Sequence, residues 1–91
     1  MQRLLTTRRH LPLDRADDYL AAWEALRRAV ESAGGRAWLF RGAAHEDQFI
    51  EFIEWSDVDG APLDDEAVVM ARSQLDMFAI AGSTEEWEDA Q

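Results

Sequence analysis

Residues 48–55 read QFIEFIEW, and no other stretch restricts the fold as much. Its short length, aromatic content and alternation make it a strand. A strand sends successive side chains to opposite faces. Phe49, Glu51, Ile53 and Trp55 therefore share one face, and Ile50, Phe52 and Glu54 share the other. Both faces are largely apolar, so both need cover. One layer of helices covers one face, and something else must cover the second.

The neighbouring segments supply the rest of a sheet. Residues 36–41, RAWLFR, form a strand joined to QFIEFIEW through the loop GAAHED, residues 42–47, as a hairpin. Residues 2–11 have strand composition with mixed alternation: Leu4, Thr6, Arg8 and His10 on one face, Arg3, Leu5, Thr7 and Arg9 on the other. Pro12 ends that strand because it has no N–H to donate. A last strand, residues 83–89, STEEWED, carries Trp87 as its one large apolar residue.

Two segments keep a helical period instead. Over residues 14–33, Ala16, Tyr19, Leu20, Trp23, Leu26, Val30 and Ala33 recur at helical spacing and form one stripe. Asp14 is placed to cap the N-terminus, and Gly34-Gly35 supplies the left-handed stop. After a turn at residues 56–62, a second helix is expected from Leu63 to Ala81. Val68, Ala71, Leu75 and Phe78 mark its inner stripe, acids at 64–66 favour its start, and Gly82 ends it.

Strand, helix, strand, strand, helix, strand is the ferredoxin-like βαββαβ order. Residues 1–91 are expected to form one α+β domain with a four-stranded antiparallel sheet in the spatial order 4, 1, 3, 2. Right-handed crossovers put both helices on one face. The helix-free face is expected to carry Phe49, Ile53 and Trp55. Burial against a second copy, by two-fold symmetry, is the simplest cover for it. Charge follows the same arrangement. Residues 1–45 hold eight Arg and five acids, whereas residues 46–91 hold one Arg and fourteen acids. The predicted order sets the Arg-rich first strand between two acidic ones, where facing opposite charges help pairing.

The segment RAWLFRGAAHEDQFIEFIEWSD, residues 36–57, resembles the second strand, acidic loop and third strand, ending in Glu-Trp, of small antibiotic-biosynthesis-type monooxygenases in the dimeric α/β-barrel superfamily. The resemblance implies two sheets packed face to face across a dimer axis, often around a cavity. It does not imply a shared reaction, because this fold hosts many functions. The group's cofactor-independent oxygenases resemble one another in setting an Asn, a Trp and a His around a bound aromatic, and its haem-degrading members are similar. This sequence contains no Asn.

Composition removes several function classes. The net charge is −10 with no lysine, which makes nucleic acid and anionic membranes poor partners. Without cysteine there is no disulfide framework, thiol nucleophile or cysteine zinc site. The N-terminal apolar content is too short for a signal-peptide core, and no apolar run reaches the ~20 residues of a membrane span. A cytoplasmic location is expected. No phosphate loop or serine nucleophile elbow is present.

The chemistry that remains is sparse. His10 and His45 sit on different elements without metal-ligand spacing, so neither a metal nor a cofactor is expected. His10 and Glu51 are the candidate catalytic groups. His10, near the end of the first strand, is placed to line a pocket and serve there as a base or hydrogen-bond donor. Glu51, set among apolar residues, needs a partner such as Arg8, Arg9 or Arg41. Glu51 is a structural ion pair in one reading and a ligand-orienting acid or general base in the other. Arg8, Trp38, Phe40 and Trp55 are the candidate ligand-binding residues, since aromatics facing a barrel interior can stack a small apolar or aromatic molecule. The alternative is a non-catalytic dimerisation or accessory module in which these residues only pack.

Overall fold

The computed structural model describes residues 1–58 and 60–91. Its elements are β1 (Gln2–His10), α1 (Ala16–Ser32), β2 (Arg36–Arg41), β3 (Gln48–Ser56), α2 (Glu66–Asp76) and β4 (Ala81–Glu88). Single 3-10 turns, Leu13–Arg15 and Pro62–Asp64, lead into the two helices. The four strands form one antiparallel sheet in the order β2-β3-β1-β4. This is the expected ferredoxin-like α+β arrangement. The turn expected over residues 56–62 includes Asp59, which lies outside the described residues.

α1 buries Ala16, Tyr19, Trp23, Leu26 and Val30, whose alternating spacing of three and four keeps them on one stripe. α2 buries Val68, Ala71 and Leu75. Both stripes meet Leu5, Ala37, Phe49, Ile53 and Trp55 of the sheet in one core. Each fully buried Leu or Val there contributes about 1.5–3 kcal/mol. At the end of α1, Gly34 N–H donates to the Glu31 carbonyl and Gly35 N–H to the Val30 carbonyl. That pair of bonds requires a left-handed residue, and Gly34 has φ +90°. A side chain at Gly35 would have its Cβ 2.9 Å from Val30 Cγ1 and 3.0 Å from the Glu54 carbonyl. Helix and sheet close directly on this glycine pair.

Three expectations are corrected. Asp14 does not cap α1. Pro12 starts a 3-10 turn through Asp14, the helix opens at Ala16, and no side chain caps it. The working cap is Asp65, whose side chain accepts from the N–H groups of Ala67 and Val68. Second, α2 ends at Asp76 rather than Ala81, and Gly82 is a strand residue. Ile80 N–H donates to the His10 carbonyl at 2.8 Å, and Ala81 and Gly82 pair with His10 and Arg9. Pairing with β1 overrides helical propensity over residues 77–81. A Cβ on Gly82 would sit 3.0 Å from the Arg8 carbonyl, so this glycine serves strand contact, not helix termination. Third, the faces of β3 are opposite to the expected ones. Phe49, Glu51, Ile53 and Trp55 are buried beneath the helices, and the helix-free face carries Ile50, Phe52 and Glu54 instead.

Candidate functional site

The two faces of the sheet hold different chemistry. On the helix side, Arg9 and Glu51 lie within the core at 5% and 2% exposure. Arg9 Nε donates to Glu51 Oε2 at 2.7 Å, and Tyr19 OH donates to the same oxygen at 2.5 Å. Arg9 Nη1 reaches out to Asp76 Oδ1 at the end of α2, also at 2.5 Å. Burial opposes the Arg9 charge, but the Glu51 and Asp76 carboxylates outweigh it and raise its pKa. Burial first, and the Glu51 charge second, push the Tyr19 phenol far above its ordinary value. Tyr19 therefore stays protonated and donates. Glu51 Oε2 accepts from both Arg9 and Tyr19, and Arg9 reaches a second carboxylate. Such added hydrogen bonds are how an ion pair survives burial.

Direct partners across antiparallel strands share a face, so the register defines the helix-free side. Trp38 lies opposite Phe52, Phe52 opposite Thr6, and Thr6 opposite Glu85. Phe40, Ile50, Arg8 and Ser83 form the next row. Arg36, Glu54, Leu4 and Trp87 form the row before. Phe40 meets Phe52 edge-on at 5.6 Å. Trp87 Nε1 donates to Thr6 Oγ1 at 3.3 Å, so its indole leans over β1. Arg36 pairs with Glu54 at 3.3 Å and sits 5.3 Å from the Trp38 ring centre. Trp38, Phe40 and Trp87 remain 37%, 57% and 52% exposed. No element among the described residues covers this aromatic face.

An open groove of about 400 Å³ lies at the end of the sheet where β1 finishes. Each strand contributes: Arg8, Arg9 and His10 from β1; Gln48, Phe49 and Ile50 from β3; Ala81, Gly82 and Ser83 from β4; Arg41 and Gly42 from the end of β2. No carboxylate-bearing residue is among them. Arg9 is committed to Glu51 and Asp76. The Arg41 guanidinium sits 4.8 Å over the Phe49 ring. His10 Nε2 is 2.6 Å from Asp47 Oδ2, and that hydrogen bond holds the Asp47 carboxyl below its ordinary 3.8. Arg8 is exposed and forms no ion pair among the described residues. Nor do three His, Cys, Asp or Glu gather among those residues to hold a metal.

The structure thus divides the predicted site residues. It gathers Arg8, His10, Trp38 and Phe40 on the helix-free face, with Arg8 and His10 at the groove. It places Glu51 and Trp55 on the opposite side, in the core, because β3 turns its odd-numbered residues toward the helices. Sequence reasoning missed Tyr19 as a partner of Glu51, because a tyrosine on a helical stripe reads as packing. It also passed over Phe52, Gln48 and Ser83. Pairing Trp38 with Phe52 in a hairpin register would have identified Phe52.

No protein-family model and no curated protein matches the chain. Solved structures do. SnoaB from Streptomyces nogalater, a cofactor-independent oxygenase, aligns at TM-score 0.82 and 13% identity, over 99% of this chain and 94% of that one. Rv0793 from Mycobacterium tuberculosis aligns at 0.81 and 11%, over 100% and 97%. An antibiotic-biosynthesis-monooxygenase-type protein from Caulobacter crescentus aligns at 0.82 and 11%, over 99% and 91%. At such identities the likeness speaks to architecture: this chain has the ferredoxin-like α+β fold of antibiotic-biosynthesis-monooxygenase-type proteins.

Proposed function

We propose that this protein is a homodimer that binds a small apolar or aromatic molecule at the groove beside Arg8, His10 and Phe40, as a cofactor-independent monooxygenase-like enzyme. The observation that carries the reading is the uncovered aromatic face of Trp38, Phe40, Phe52 and Trp87 on a chain this short. Small domains bury a modest share of their surface, and a contiguous apolar patch favours a partner. A second copy closing over that face would turn the open groove into a walled chamber. Its volume of about 400 Å³ falls in the range of small-molecule sites, about 300–1,000 Å³. An oxygenation without cofactor needs a substrate that supplies both electrons reducing the second oxygen atom to water, so electron-rich polycyclic phenols are the class to try. The same reading places the protein in the cytoplasm, in keeping with a chain that has no cysteine.

A second reading, a non-catalytic accessory module, is favoured by one observation. Glu51 is tied to Arg9 and Tyr19 in the core, which leaves no free carboxylate base at the groove. Sedimentation equilibrium and oxygen uptake on a panel of polycyclic phenols separate the two. A dimer that consumes oxygen with product formation supports the enzyme. A dimer that takes up no oxygen with any of the phenols supports the accessory module, and a monomer at micromolar concentration sinks both.

A further inference from the structure

We infer that the ligand of this groove is an anion, an apolar or aromatic molecule carrying a carboxylate that the Arg8 guanidinium holds. This rests on the groove being a binding site, and it adds the chemical class.

The charge distribution is the argument. The chain carries 19 acids against nine arginines, yet no acid among the described residues lines the groove. Of the other ionisable groups there, Arg9 is engaged by Glu51 and Asp76 and His10 by Asp47, while Arg41 is drawn back over the Phe49 ring at the end of β2. Arg8 has no such partner among the described residues. Its cross-strand partners are Ile50 and Ser83, one apolar and one a small hydroxyl. Two carboxylates share its face. Glu54 is taken by Arg36, and Glu85, opposite Thr6, forms no ion pair with Arg8.

A guanidinium left at the wall of a closing chamber loses water, and an unpaired buried charge is strongly unfavourable. A ligand carboxylate meets that need with two parallel N–H···O bonds. Ser83 and Gln48 stand within the same lining as further donors. Ile50, with Phe40 opposite it in the register, supplies the apolar floor for the ligand's rings. Outside the groove the strongly negative protein repels anions, so Arg8 confines the attraction to this end of the sheet.

The test compares 2-naphthoate with its neutral isostere 2-naphthamide by isothermal titration calorimetry at pH 7.5. In the unmodified protein the naphthoate is expected to bind at least tenfold more tightly. Its affinity should fall as salt rises, while that of the amide should hold. Arg8→Gln, at an exposed position that the core does not need, should bring naphthoate down to the amide's affinity and leave the amide unchanged. Equal binding of the two probes overturns the anion assignment and leaves the apolar groove standing, and a preference that survives Arg8→Gln overturns the assignment of the carboxylate to Arg8. Arg8→Gln that instead abolishes the dimer assigns Arg8 to the subunit contact and overturns it too. If neither probe binds, the groove itself is not a site and both readings fall together.

Discussion

Among single residues, Glu51 shows how far alternation carries. It correctly groups Glu51 with Phe49, Ile53 and Trp55. It cannot say which face the helices cover, because Ile50 and Phe52 make the opposite face apolar too. Because Glu51 lies in the core, Glu51→Gln tests stability and not ligand binding. It leaves Arg9 buried with only Asp76 as counter-charge, and breaking a buried pair costs about 3–5 kcal/mol. The exposed Asp76 partner sets the expectation at the low end of that range. Tyr19→Phe removes a single hydrogen bond to a charged group, about 1.5–3 kcal/mol. Urea unfolding monitored by tryptophan fluorescence should rank Glu51→Gln below Tyr19→Phe, and the reverse order would count against the ion pair as the centre of this network. The surface pair of His10 and Asp47 makes a prediction in pH. A carboxyl held below its ordinary 3.8 by His10 stabilises the fold above that pH and loses the contribution as pH falls through its folded value. His10→Ala should return the Asp47 titration toward 3.8, read by carboxyl-carbon NMR, and an unmoved titration would rule out the hydrogen bond.

The order and type of the elements were legible because their apolar periods are clear, while their ends were not, because ends are decided by partners. α2 is the plainest case. Residues 77–81, MFAIA, propagate a helix well by local preference, yet the chain leaves the helix after Asp76 so that β4 can begin pairing with His10. No local pattern records the demand of a strand some seventy positions earlier. Caps were ambiguous for a similar reason. Asp14 and Asp65 both precede helical stripes, but the 3-10 turn after Pro12 leaves Asp14 outside the capping position, whereas Asp65 accepts two backbone N–H groups. Asp65→Ala should therefore lower stability by about 1 kcal/mol, and Asp14→Ala should fall within about 0.5 kcal/mol of the unmodified protein, as surface changes do. Equal losses in the two variants, measured by urea midpoint, would show that the α2 cap does not hold in solution.

At the scale of the whole molecule the uncovered face and the net charge pull in opposite directions. Four strands spaced about 4.8 Å apart, with roughly eight residues rising about 3.3 Å each, present a flat area of roughly 500 Å² before side-chain relief is added. A standard interface takes about 800 Å² from each partner, so the helix-free face is close to the size that association needs. Its central rows, Trp38-Phe52 and Phe40-Ile50, supply aromatic anchors of the kind that dominate interface energies. Against this stands a charge of −10 on each copy, whose mutual repulsion extends over about a Debye length, some 10 Å at 0.1 M salt. Apolar contact is insensitive to moderate salt and the repulsion is not, so salt should favour the dimer. Raising sodium chloride from 20 to 300 mM (roughly 20 Å to 5 Å of screening length) should tighten the dissociation constant measured by sedimentation equilibrium. The melting temperature should rise with protein concentration, as mass action requires of a dimer that unfolds to separate chains. Phe52→Glu places a charge in the middle of the aromatic rows without touching the core beneath the helices. It should leave a folded monomer whose melting temperature no longer depends on concentration. A dimer that salt dissociates would be held by charge pairs instead, and one that survives Phe52→Glu would be built on another surface.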